Sequence, residues 1–386
     1  MAATKKTDKK TICLNMIVKN ESAIIRDTLE NIVAHIPLDY YVISDTGSED
    51  NTAEVIEQFF TEKGIKGEVH HDQWENFAHN RNLALQHAKN KTDYVLIFDA
   101  DDRIEGELIL PKLTADIYGL RMANGLDGSN VYFRTLLFRN DGTFYWRGVL
   151  HEFITQQNKA ITEERIIGNY YIISGRFGAR SNNPQKYQQD AQILEKAYYA
   201  PEDEDLKARY AFYIAQSYRD SSMPEKALEW YQTRVELGGW VEEVYYSLLQ
   251  IGLLKEQLDA PLEDVQTAFL TAYEYRPQRA ESLYYLARYL RHKDRIKLAY
   301  IYALAAISIP LNDDKLFVNY SVYTWRAKDE LAVSSYWVGN YQLCYNICLE
   351  LLANPAIPEE DKKRFQSNLD FAKEKLGKKI VIHENS

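Results

Sequence analysis

Residues 93–102 read DYVLIFDADD, a run apolar from Tyr94 to Phe98 that passes directly into Asp99, Asp101 and Asp102. A strand that is apolar at every position belongs inside a sheet covered on both faces, which is the position of a central parallel strand. Carboxylates placed straight after it lie beyond its carboxyl end, where open α/β sheets bind ligands. Asp99 and Asp101, with Asp102 beside them, suit a hard divalent cation that bridges a diphosphate and neutralises its charge. A solvated turn with helix-capping Asp has the same local signature, so the neighbouring segments must decide between the two.

Working back toward the N-terminus, short β-like runs alternate with amphipathic stretches. Thr11–Val18, Tyr40–Ser44 and Gly67–His71 read as strands. Residues 22–35 and 53–60, and Asn76–Lys89, read as helices, the first with Ile24, Ile25, Leu29, Ile32 and Val33 on one face. Strands alternating with helices predict a parallel sheet with helices on both faces. The charged cluster Lys19-Asn20-Glu21 ends the first strand, and Asp45 ends the second ahead of Thr46-Gly47-Ser48. Both belong at the same sheet edge as Asp99. Asp45 can accept hydrogen bonds from a base or ribose, or cap the following helix; Asp50 or Asn51 can serve as that cap instead. Arg81, in Asn80-Arg81-Asn82 on the third helix, can pair with phosphate or with the carboxylates.

Beyond Asp102 the pattern becomes mixed. Asn130–Phe138 and Tyr170–Ser174 read as strands, and Gly142–Gly148 as a turn carrying aromatics. His151-Glu152 follows Trp146-Arg147-Gly148-Val149-Leu150 and offers a metal ligand beside a base.

From about Pro184 the chain is helical throughout. Ile214, Ala215, Tyr218, Ala227 and Tyr231 have the relative spacing of a tetratricopeptide repeat, with Gly239 at the closing Pro position. Leu249, Phe269, Ala272 and Pro277 give a second copy; Leu286, Ala287, Leu290, Ala299 and Pro310 a third; Leu331, Ala332, Cys344, Cys348 and Pro355 a degenerate fourth. Small residues let paired helices approach and aromatics fill the grooves between pairs. This accounts for much of the high count of 29 Tyr. An irregular helical bundle is the competing reading.

Composition narrows the function classes. In 386 residues, Lys plus Arg number 46 and Asp plus Glu 56, a net charge of −10. That balance excludes a broad basic surface for nucleic acid and a polybasic membrane patch, but not a local phosphate site. Cys13, Cys344 and Cys348 cannot form a disulfide framework, and no zinc set surrounds the last two. The longest uncharged apolar run, Leu298–Ile309, falls far short of the roughly 20 residues that span a bilayer. No signal-peptide core follows the polar, basic residues 1–10, and a cytoplasmic location is expected.

Together IVKNES (17–22), SDTGSEDNT (44–52), FAHNRNLAL (77–85), YVLIFDADD (94–102) and WRGVLHE (146–152) resemble an inverting glycosyltransferase of family 2, of GT-A fold, in the subgroup carrying C-terminal tetratricopeptide-like repeats. The resemblance implies an α/β GT-A domain, a Rossmann-like nucleotide-sugar-binding sheet, over residues 11–180. An all-α helical-repeat domain would follow over 181–378, with tails at 1–10 and 379–386. It implies a nucleotide-diphosphate sugar donor, most often a UDP-sugar, and Mn²⁺ or Mg²⁺. By position, Val18, Lys19, Asn20, Glu21 and Asp45 would hold the nucleotide, Arg81 would sit near ribose and diphosphate, and Asp99 and Ala100 would contact the donor. Asp101 and His151 would bind the metal directly, and Asp99 through water. Glu152 is the candidate base, with Asp141 a poorer one in an Asp-Gly turn. Trp146 is a candidate acceptor contact. Where relatives often carry a His ahead of the repeats, this chain has Ser174-Gly175-Arg176-Phe177, and Arg176 or Arg180 is a candidate diphosphate cation. The acceptor would be a glycan, a lipid-linked glycan or a protein, and the repeats could join two copies of the chain.

A sugar-nucleotide nucleotidyltransferase would need an N-terminal Gly-rich loop, and residues 15–26 contain no Gly; no P-loop motif occurs either. The rival of another class is a repeat-based adaptor or scaffold whose nucleotide-sugar domain has lost catalysis. Its mark would be a missing strand-end Asp, and Asp99 and Asp101 are both present.

Overall fold

The computed structural model describes residues 9–124, 130–156, 160–175, 183–355 and 357–384. The chain divides into two compact units, 1–197 and 198–386.

The first unit is built on strands β1 (Ile12–Val18), β2 (Tyr40–Asp45), β3 (Lys66–His71) and β4 (Tyr94–Ile97), with helices α1 (Ile25–His35), α2 (Thr52–Lys63) and α3 (Phe77–Ala88) between them. These four strands pair in parallel in the order β3-β2-β1-β4. The alternation read from the sequence is therefore present, with shifts of a few residues at element ends. Next come β5 (Asp102–Gly106), β6 (Ile117–Asn124), β7 (Asn130–Arg139), β8 (Phe144–Arg147), β9 (Phe153–Gln156), β10 (Glu163–Arg165) and β11 (Tyr170–Ser174). β7 runs antiparallel to β4 and extends the sheet through β6, β11 and β5, with β10 on β6, to nine strands.

Ile12, Leu14, Val95 and Leu96 are buried where β1 and β4 meet. Asn15 is also buried there, and its amide donates to the carbonyls of Val42 (3.2 Å) and Ala84 (2.9 Å), binding β1 to β2 and α3. Helix α1 braces the strand-end acids: Thr28 Oγ1 donates to the Ala100 carbonyl at 2.7 Å, and Asn31 exchanges two hydrogen bonds with Ile104.

One expectation is corrected. Residues 142–148 are not only a turn: β8 lies within them and pairs with β9 as a separate two-stranded hairpin. Flanking glycines and the short aromatic run masked it.

Helix α4 (Lys186–Tyr198) ends the first unit; in the second, after a 3₁₀ segment (Pro201–Leu206), helices follow as pairs. They are α5 (Lys207–Asp220) with α6 (Pro224–Leu237), α7 (Val241–Gln257) with α8 (Leu262–Tyr275), and α9 (Glu281–His292) with α10 (Ile296–Ile307). A π-turn (Val322–Arg326) then leads to α11 (Ala327–Trp337) with α12 (Tyr341–Ala353), and α13 (Glu359–Glu384) closes the series. Ile214, Ala215, Tyr218, Ala227 and Tyr231 are all buried, as are Phe269, Ala272, Leu286, Ala287, Leu290, Ala299, Leu331 and Ala332. Gly252 shows the close approach these positions allow: a Cβ there would lie 2.7 Å from the Phe269 ring. Cys344 and Cys348 are buried core thiols. No helix among the described residues is long and apolar enough to cross a membrane.

A buried charge cluster ties these helices together. Arg279, fully buried, donates to both Glu281 oxygens (3.0 and 2.8 Å) and to Asp314 (3.2 Å), and lies over the Tyr245 ring. Removing it leaves the buried Glu281 carboxylate without its cation, while Asp314 keeps Arg276, so Arg279→Met is expected to cost the second unit about 3–5 kcal/mol. Urea unfolding followed by helical circular dichroism measures this, and a loss below about 1 kcal/mol would contradict it.

Candidate active site

Helix α3 assembles the site. Asn76 caps it, accepting from the His79 amide at 2.9 Å. Asn80 is fully buried; it accepts from Glu75 N and donates to the Gln73 carbonyl, fixing the approach to the helix. Asn82 grips the β8–β9 hairpin, donating to the Trp146 carbonyl (2.9 Å) and accepting from Trp146 N (2.7 Å). Phe77 N adds a bond to the Val149 carbonyl at 3.3 Å. The hairpin loop therefore sits against the carboxyl end of β4.

Arg81, between these two asparagines, is only 6% exposed. Its Nη2 donates to Asp99 Oδ1 at 2.6 Å and its Nε to Glu152 Oε1 at 2.7 Å, while its guanidinium lies 5.0 Å from the centre of the Trp146 ring. Charge-assisted bonds of this length in a buried setting are among the stronger polar contacts in proteins. Asp99 Oδ2 accepts from Arg134 Nη1 at 3.1 Å. Burial alone would raise the Asp99 carboxyl, but Arg81 and then Arg134 outweigh it and hold the group below the usual carboxylate range. Asp102 is the opposite case. Burial first, then the charges of Asp99 and Asp101, push it well above that range.

The strand-end loops complete the edge. Val18 ends β1, and its carbonyl accepts from Thr46 N (2.9 Å) and Thr46 Oγ1 (3.0 Å). Lys19 is exposed. Asn20 adopts φ 56°, its amide donating to Ser48 Oγ and its side chain accepting from Glu49 N. Glu21 N donates to Thr52 Oγ1. Asp45 is buried and accepts from the amides of Gly47 (3.1 Å) and Ser48 (2.8 Å); Asp50 accepts from Thr52, so Asp45 is not the helix cap. Residues 18–21 and 45–52 are thus stitched into one cradle at the carboxyl ends of β1 and β2.

The predicted residues separate accordingly. Arg81, Asp99 and Glu152 converge directly, and Ala100 is buried beside them, its carbonyl held by Thr28. Asp101 is half-buried, and His151 is exposed in the hairpin loop with φ 53°. Gly175 packs so tightly on the Asp101 carbonyl that a Cβ there would lie 1.9 Å from it. Trp146, expected at the acceptor side, is 4% exposed and floors the Arg81 guanidinium instead. Asp141 caps its own exposed turn by accepting from Thr143. Arg176 and Arg180 lie outside the described residues. Arg134 on β7 is the cation the sequence reading missed; a lone charge within the apolar run Asn130–Phe138 was its only signal.

The donor set suits a divalent cation in its chemistry. Asp102 Oδ1 is buried without a hydrogen-bond partner beside Asp99 and Asp101, and a cation would relieve that cluster. The ligands are not pregrouped: among the described residues no three His, Cys, Asp or Glu side chains stand together as a ready metal site. Both Asp99 oxygens are engaged by arginines, which fits a role for that residue at one remove from an ion.

Arg81→Met would leave Glu152 unpaired at a buried site and Asp99 with Arg134 alone, and is expected to cost about 3–5 kcal/mol. Arg134, whose side chain is 32% exposed, makes a screened contact, and Arg134→Met is expected to cost roughly 1 kcal/mol or less. Chemical denaturation of both variants checks the ranking, and equal losses would contradict it.

The family model of glycosyl transferase family 2 matches residues 13–180. Among solved structures, the chain is similar to MamA at 15% identity, covering 51% of this chain and 92% of that one, with a TM-score of 0.33. It is similar to BtubC from P. vanneervenii at 12% identity, covering 52% and 85%, with a TM-score of 0.40. It is also similar to S. aureus TarS at 14% identity, covering 67% of this chain and 54% of that one, with a TM-score of 0.37. The chain thus joins a glycosyl transferase family 2 domain of GT-A fold, matched over residues 13–180, to a tetratricopeptide-like series of helical repeats.

Proposed function

We propose that this chain transfers a sugar, with inversion and with the help of Mn²⁺ or Mg²⁺, from a nucleotide-diphosphate donor, a UDP-sugar, to a hydroxyl of a glycan, a lipid-linked glycan or a protein. The observation that carries the reading is the Arg81 bridge, which unites Asp99 at the end of β4 with Glu152, 71 residues after Arg81, at the sheet edge where α/β folds take nucleotides.

In this reading the cradle of residues 18–21 and Asp45 receives base and ribose. Asp101 and His151 would hold the ion, with Asp99 contacting it through water; when bound, the ion supplies positive charge to the departing diphosphate. Arg134, with Arg81 behind it, adds fixed positive charge at the same edge. The acceptor hydroxyl attacks the anomeric carbon from the face opposite the diphosphate. The new C–O bond forms as the bond to the diphosphate oxygen breaks, and the nucleotide leaves with that electron pair. The acceptor proton passes to Glu152, whose Oε1 is held by Arg81, leaving Oε2 as the receiving atom.

Two measurements test this. A hydrolysis screen across UDP-, GDP- and dTDP-sugars with Mn²⁺ is expected to release UDP slowly from one donor, and Asp101→Ala is expected to lower that release at least about 100-fold. UDP with Mn²⁺ is expected to raise the unfolding temperature of the wild type but not of Asp101→Ala. Absence of both effects would favour a non-catalytic scaffold instead.

A further inference from the structure

The second unit holds a cavity of about 600 Å³ between α9, the π-turn and α11, and α13, far in sequence from the candidate active site. Its lining includes Arg288, Arg291, Arg326 and Arg364 together with Asp329, Glu330, Glu360 and Asp361. The charges are not evenly matched in space. Glu330 is taken by Arg291 through two bonds (2.7 and 2.9 Å), and Asp329 by Arg364 through two more (2.7 and 2.8 Å). Asp361 also meets Arg364, at 3.3 Å, and Glu360 is exposed. Arg326 has no ion-pair partner among the described residues, and its guanidinium lies 5.1 Å from the Trp325 ring.

Three donors in this lining are buried without an acceptor: Arg326 Nε, Arg288 Nε and Asn368 Nδ2. Arg288 has a partner for Nη2 alone, Glu256 at 2.7 Å. Buried donors without acceptors cost stability, and several in one cavity point to a ligand that supplies the oxygens. The backbone adds an independent sign. Arg326 ends a single π-turn, a distortion of helical geometry that recurs at functional sites.

We propose that this cavity binds one anionic group, a carboxylate or a phosphate monoester, held by the Arg326 fork with Arg288 Nε and Asn368 Nδ2 as further donors. A planar guanidinium fork matches the oxygens of either group. The carboxylates that remain in the lining select a single anionic group over a polyanion, because each further charge would meet Glu360 or the paired acids. The site stands whether or not the first unit transfers sugars.

The test uses the full chain, titrated with inorganic phosphate and separately with acetate at an ionic strength held constant with sodium chloride. Trp325 fluorescence is read as the difference between the wild type and Trp325→Phe. A saturable change with at least one probe, with Kd on the order of 1 mM, is expected. Arg326→Gln is expected to weaken it at least about tenfold, Arg326→Lys less, and Lys328→Gln, outside the cavity lining, not at all. Saturation by phosphate alone assigns a phosphate monoester, and saturation or competition by acetate assigns a carboxylate. If Arg326→Gln fails to fold, Arg288→Gln is read in its place. No saturable response to either probe, or an unchanged response in the Arg326 and Arg288 variants, would overturn the site.

Discussion

A buried guanidinium needs partners on all its edges, and Arg81 finds them on three elements that the chain brings together from distant positions. Asp99 stands at a strand end, Glu152 and Trp146 flank a hairpin loop, and Asn80 and Asn82 set the helix that presents the arginine. Taking away the cation would leave the buried Glu152 carboxylate without its partner and Asp99 with Arg134 alone. The β8–β9 hairpin belongs to its own two-stranded sheet, so its place beside β4 depends on this contact and on the Asn82 grip.

The same arrangement explains the division of charge between Asp99 and Asp102. Asp99 keeps its negative charge because two arginines face it, and Asp102 resists ionisation because it is buried and its neighbour already holds that charge.

Much of this was legible in the chain. A strand apolar at every position has one place in a sheet, so β4 and the acids after it could be read directly. The repeat positions were legible because small and large residues recur at short, local spacings, and the buried Ala215, Ala272, Ala287 and Ala332 sit where that spacing put them. What escaped depends on long-range contact. Asn82 and Trp146 are 64 residues apart, and nothing local marks a side-chain amide as the clamp on a distant backbone. Arg134 was hidden because its strand is recognised by its apolar residues. Trp146 was read as an acceptor contact, since a cation stacked over it leaves no trace in the sequence around it.

The segment between α10 and α11 bears on how the repeats come apart. Residues 312–319 fold back along the earlier helices: Lys315 and Leu316 amides donate to Glu242, Phe317 rests on Tyr246 and Phe212, and Arg279 donates to the Leu316 and Phe317 carbonyls. In a simple stack each pair touches only its neighbours and can fray from an end. Here one strap of backbone connects the first three pairs, so hydrogen exchange across α5 to α9 should report one cooperative opening instead of a graded series.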